Sequence, residues 1–141
     1  MKLALTQDAA TRSPGPTIEE FEALEIDPER FNHRSHVFVA WSYLRDLDLI
    51  SSIDRYRSTL KRLTRKLGVP GKYHETITWF FMILVAERIE RDPPGEWGEF
   101  VERNPDLFAS KPGIIETFYT SARINSAAAR HQFLLPDRVN D

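Results

Sequence analysis

Three of the chain's four histidines fall where long helices are expected to begin: His33 and His36 at the head of one, His74 beside Glu75 at the head of another. Residues three apart on a helix share a face, so the imidazoles of His33 and His36 can converge on one point. If the two helix starts lie at the same end of a bundle, His74 brings a third nitrogen and Glu75 an oxygen. A set of His33, His36, His74 and Glu75 suits a divalent metal, zinc or non-haem iron, with positions left for water or a small-molecule ligand. The ion would polarise a substrate oxygen or activate water, with hydrolysis and oxygen chemistry both open. Tyr73 and Thr78 are candidate catalytic residues that would orient the ligand by hydrogen bonds. Thr76 either joins them or helps to cap the helix.

Two other chemistries compete for these histidines. Histidine is the side chain best suited to proton transfer near neutral pH, so a metal-free acid or base is one. The other is purely structural, because His-x-x-His is a short pattern and a pair near a helix start is often simply hydrogen-bonded. Neither His-Glu-x-x-His nor the paired Glu-x-x-His of di-iron bundles occurs, since Glu75 is followed three residues on by Thr78. Without cysteine there is no thiol nucleophile and no disulfide, and no Gly-x-Ser-x-Gly elbow is present. Glu29, four residues before His33, is either a further ligand or a first-turn acid favoured by the helix dipole. Arg123 and Arg130, seven apart, would clamp an anion if their face closes a pocket and are otherwise solvated charge.

These side chains must be positioned by helices. Val37, Ala40, Leu44 and Leu47 recur at helical spacing over about 32–50, and His33 and His36 fall in the same sector, so they point towards the core. A second helix is expected over about 52–67, with Ile53, Tyr56, Leu60, Leu63 and Leu67 on one side and a stop at Gly68, Pro70 and Gly71. Arg55, Arg57, Lys61, Arg62, Arg65 and Lys66 fill the rest of that helix. They could contact phosphates, but the wet face of an amphipathic helix is the preferred reading. A third helix, about 73–91, is apolar on nearly every side from Ile77 to Ala86 and belongs at the centre of the domain. A short helix over 96–103 follows the Asp92-Pro93-Pro94-Gly95 breaker, and one more is expected over 114–133, interrupted near Asn125. Thr17 and Glu20 form a capping box that opens a short helix. Residues 1–17 otherwise read as a mobile tail, leaving 18–141 as the single helical domain.

Composition narrows the classes. The balance of 19 Lys+Arg against 21 Asp+Glu, a formal charge of -2, argues against a protein that coats nucleic acid or anionic membrane. No apolar run reaches the roughly 18 residues of a membrane span, and the opening Met-Lys-Leu-Ala-Leu, followed by Thr6, Gln7 and Asp8, falls far short of the about 7 to 15 of a secretory core, so a soluble, cytoplasmic protein is expected. The fold class expected is all-α, a bundle of four or five helices around 73–91.

The strings Phe31-Asn32-His33-Arg34-Ser35-His36-Val37, Ala40-Trp41-Ser42-Tyr43-Leu44, Lys72-Tyr73-His74-Glu75-Thr76, Ser126-Ala127-Ala128-Ala129-Arg130 and Leu135-Pro136-Asp137 resemble motifs of a family of small, uncharacterised bacterial proteins. The resemblance implies that the histidines and the carboxyl-terminal segment belong to one recurring design, and it implies no reaction. The functional expectation is a small metal-binding helical protein, with catalysis on a small molecule as its extension. Its alternative is a non-catalytic module that self-associates into a homo-oligomer or binds a partner protein, motivated by an apolar central helix that a chain this small must struggle to cover.

Overall fold

The computed structural model describes residues 14–138 apart from 94, 111 and 112. It is an all-α bundle with eight α-helices and no strand among those residues. The three long ones carry the architecture: α2 (His33–Asp46), α3 (Leu49–Lys66) and α4 (Glu75–Arg91). The short helices are α1 (Ile18–Glu22), α5 (Trp97–Arg103), α6 (Ile115–Phe118), α7 (Ser121–Ile124) and α8 (Ala127–His131). No described helix is long and apolar enough to cross a membrane.

Side-chain capping explains most boundaries. The capping box at Thr17 forms as expected: its hydroxyl accepts from Glu20 N at 3.1 Å, and the Glu20 carboxylate accepts from Thr17 N at 2.9 Å. Asn32 caps α2, and Asp48 caps α3 by accepting from Ser51 N at 2.9 Å. With Asp48 capping the next helix, α2 ends at Asp46, four residues before the end that the apolar period suggests. The stretch over 114–133 is not one interrupted helix but three short ones, because Thr120 and Ser126 each cap a new turn. At the end of α3, Gly68 takes a φ of 75°, where a side chain would be strained. That turn lets Gly68 N and Val69 N reach the carbonyls of Arg65 and Thr64, which satisfies the helix end.

The core divides along the α2–α4 pair. On one side Val39, Ala40 and Tyr43 of α2 and Met82 of α4 pack with Phe21 of α1 and Ile53, Tyr56 and Leu60 of α3. On the other side Val37, Trp41, Phe80, Leu84 and Val85 pack with Phe100, Leu107 and Tyr119. Helix α4 is thus the central element, as its composition predicts. Its apolar residues find cover within the chain; the large apolar side chains left exposed among the described residues are Ile50, Leu67 and Leu135.

The tail expected over 1–17 lies mostly outside the described residues. Its last part is anchored: Ser35 Oγ lies 3.1 Å from Pro14 O, and a Cβ on Gly15 would sit 3.0 Å from the Phe38 ring. Three of the six cations on α3 are also not simply solvated. Arg55 grips the Glu22 carboxylate, Arg62 donates to Glu22 O, and Arg57 pairs with Glu75.

Candidate functional site

The start of α2, the last turns of α3 and the start of α4 meet at one end of the bundle, where they enclose a cavity of about 580 Å³. His33, His36 and His74 all line it, together with Tyr56, Tyr73 and Thr78. The rest of the wall is mostly apolar, with Phe31, Val37, Leu60, Leu63, Ile77 and Phe81 among its residues, and Asn32, Thr64 and Lys72 add polar groups. The volume lies within the range of about 300 to 1,000 Å³ that small-molecule sites occupy.

Each histidine is held differently. His33 is exposed at the mouth of the cavity, with its ring edge-on to Phe81. Its Nε2 lies 2.7 Å from Leu107 O. A carbonyl oxygen only accepts, so Nε2 carries a hydrogen and, in the neutral ring, Nδ1 keeps its lone pair. His74 has both nitrogens engaged: Nε2 donates to Ile124 O at 2.7 Å, and Nδ1 accepts from Ile77 N at 3.1 Å as the N-cap of α4. Burial pushes its pKa down, consistent with a neutral ring whose Nδ1 must stay unprotonated to cap the helix.

His36 is half-buried and is held by side chains. Its ring lies against Phe31 at 4.1 Å, and its Nδ1 is 3.0 Å from the hydroxyl of Tyr56. Burial, with a smaller contribution from His33, lowers its pKa from 6.5 to about 4. The same burial raises the pKa of Tyr56, so the phenol keeps its proton. Two hydrogens are therefore shared by this neutral pair in two ways. Tyr56 donates to Nδ1 and His36 Nε2 carries a hydrogen, or His36 Nδ1 donates to Tyr56 and Nε2 presents a lone pair. In the second case the Tyr56 hydroxyl has His36 O, 3.4 Å away, as an acceptor. Nε2 has no protein partner among the described residues, and it can act as donor or acceptor with no change in charge.

The four-ligand set expected from the sequence is not assembled in this arrangement. The three histidines line one cavity, but His74 has no free nitrogen. The Glu75 carboxylate is taken by Arg57 Nε, at 2.8 and 2.9 Å, and by the Tyr73 hydroxyl at 2.5 Å. Burial opposes its charge, yet those hydrogen bonds outweigh it and hold the carboxyl below its usual range. No group of three or more such side chains placed to hold an ion occurs among the described residues. The nitrogens left are His33 Nδ1 and His36 Nε2, one fewer than the three protein ligands of the usual catalytic zinc site.

The two expected catalytic hydroxyls are also committed, Tyr73 to Glu75 and Thr78 to His74 O at 2.8 Å. Thr76 neither caps α4 nor faces a ligand. Fully buried, it lies 2.6 Å from Ala129 O and 2.8 Å from Gln132 O and accepts from Leu134 N, which ties the carboxyl-terminal segment to α4. Tyr56 is the site residue that periodicity alone misses. Its place in the apolar stripe of α3 marks it as core, and the signal available was that a buried phenol needs a partner for its hydroxyl.

No family model matches the chain, and no curated protein or solved structure is significantly similar to it.

Proposed function

We propose that the protein binds a small, largely apolar molecule in the cavity between α2, α3 and α4, with His36 Nε2 as its internal hydrogen-bonding group. The supporting observation is that a neutral imidazole, backed by Tyr56, offers an unpartnered nitrogen in a cavity whose wall is mostly aromatic and aliphatic. Magnitude separates binding from acid–base catalysis. A group that protonates near pH 4 is about three units from the pH at which it would be an effective base, and general catalysis is most efficient when the two match. As a hydrogen-bond partner the same group loses nothing at neutral pH.

The reading is tested by calorimetric titration with neutral apolar probes, 1-decanol and a phenyl-substituted alcohol, alongside Ala40→Phe, which fills the cavity from α2, and His36→Phe. Wild type should bind. Ala40→Phe should not, and His36→Phe should bind about tenfold more weakly to the alcohols, the value of one buried hydrogen bond. Failure of wild type to bind any probe, or full binding by Ala40→Phe, refutes the reading. Elemental analysis of the same preparations tests the metal expectation. Near-stoichiometric zinc or iron that disappears in a His33→Ala/His36→Ala double variant would replace this proposal with a metal centre.

A further inference from the structure

Behind Tyr73 lies a second cavity, of about 240 Å³, with the opposite chemistry. Its lining includes Lys61 and Arg65 of α3, Arg130 and His131 of α8, and Glu75 at the start of α4. Tyr73 and Thr64 line both cavities, so the apolar chamber and the basic cleft share a wall.

The cleft keeps an excess of positive charge: Glu75 balances part of it, and feels Lys61 as well as Arg57. Among the described residues the ion pairs of the molecule engage Arg55, Arg57, Arg88 and Arg103, leaving Lys61, Arg65 and Arg130 without a carboxylate partner. Glu75 contributes a negative charge to the lining, but Arg57 and Tyr73 hold that carboxylate. Arg130 is steered into place by a 2.8 Å bond from its Nη1 to Gly71 O, and the Lys61 ammonium lies 5.3 Å from the centre of the Tyr73 ring. An anion placed there meets cations from two separate parts of the chain.

We infer that the ligand is an amphipathic anion, with its oxyanion head, a carboxylate or a phosphate monoester, held by Lys61, Arg65 and Arg130 and its apolar body in the chamber beyond Tyr73. This inference rests on the cavity reading above and adds the class of ligand. The two cavities divide one molecule as its own two ends divide, the head in the cleft and the chain among Leu60, Leu63 and Phe81.

Three probes of equal chain length test it on the intact protein: decanoate, decyl phosphate and 1-decanol, titrated into wild type and into a Lys61→Gln/Arg65→Gln double variant. Glutamine keeps the helix propensity of both sites, and circular dichroism confirms that the variant is folded. At least one anion should bind wild type about tenfold or more tightly than decanol, as expected for charge-assisted hydrogen bonds. In the double variant that advantage should vanish while decanol binding is unchanged. The preferred anion should also weaken as salt is raised, and the alcohol should not. Decanoate ahead of decyl phosphate identifies a carboxylate head, and the reverse order a phosphate. Equal binding of all three probes, or an anion preference that survives the double variant, overturns the inference and leaves the apolar chamber standing. Binding of none removes the chamber reading and this one with it.

Discussion

Acidification offers the most discriminating test of the site, because His36 makes a signed and sizeable contribution to folding. Its ring binds a proton less readily in the folded protein, near pH 4, than in the unfolded chain, near 6.5. Above pH 6.5 neither state is protonated and the full benefit of burying a neutral ring is present. As the pH falls from 6.5 towards 4 the unfolded chain takes up a proton that the folded one refuses, and stability drains away. Below about 4 both states are protonated and the contribution is gone. At about 1.4 kcal/mol per pH unit the loss across that window is about 3 kcal/mol. Glu22, Glu75 and Asp106, whose carboxyls are held low, and His74, also held low, lose stability on acidification too, so wild type alone would not isolate His36. The assay is therefore urea unfolding of wild type and His36→Gln at pH 7 and pH 4. The fall in wild type should exceed the fall in the variant by about 3 kcal/mol. NMR titration of the imidazole carbons should place the His36 midpoint near 4. A midpoint near 6.5, with equal falls in the two proteins, would refute the burial argument and the neutral pair with Tyr56.

Two further perturbations probe the frame around the site. Thr76→Val keeps the shape but strips the hydroxyl that serves three backbone groups of the carboxyl-terminal segment, and it should cost about 2 kcal/mol; a loss below about 0.5 kcal/mol in thermal unfolding would show that the segment is held by packing alone. Arg57→Ala leaves the largely buried Glu75 without its ion partner. It should destabilise by about 2 kcal/mol at pH 7 and by less at pH 4, where the carboxyl can protonate; an effect that does not diminish on acidification argues against the pair.

Much of this arrangement is legible in the residues themselves. The period of Val37, Ala40 and Leu44 turns His36 inward, although His33 at the head of the helix stays exposed at the cavity mouth; the apolar run of Ile77–Ala86 places α4 at the centre, and Thr17 with Glu20 announces α1. What the order of residues conceals is which ring nitrogens are already spent. The partners of His33 and His74 are the backbone carbonyls of Leu107 and Ile124, 74 and 50 positions away. Every residue has a carbonyl, so no side-chain pattern marks these two. Two polar partners were hidden for other reasons. Glu75 reads as a ligand until Arg57, on another helix, is brought beside it, and Tyr56 reads as filler until His36 needs a neighbour. Of the carboxyl-terminal breaks, the one near Asn125 is anticipated from the sequence, whereas the one capped by Thr120 is not.

The reach of the bonds around the start of α4 gives the chain an order of assembly. Helices α2, α3 and α4 are neighbours in sequence, and their mutual packing can form while the chain is still being made. The groups that fasten the start of α4 and the turn before it come much later: Ile124 meets His74 across 50 positions, Ala129 meets Thr76 across 53, and Arg130 meets Gly71 across 59. Contacts of that separation pay the full entropy of closing a loop and are made late. On a ribosome the three long helices, which with the segments between residues 28 and 81 line the larger cavity, would lack the bonds that hold His74 and Arg130 until residues past 130 had emerged. The basic cleft, which Arg130 and His131 help to line, would be the part completed last.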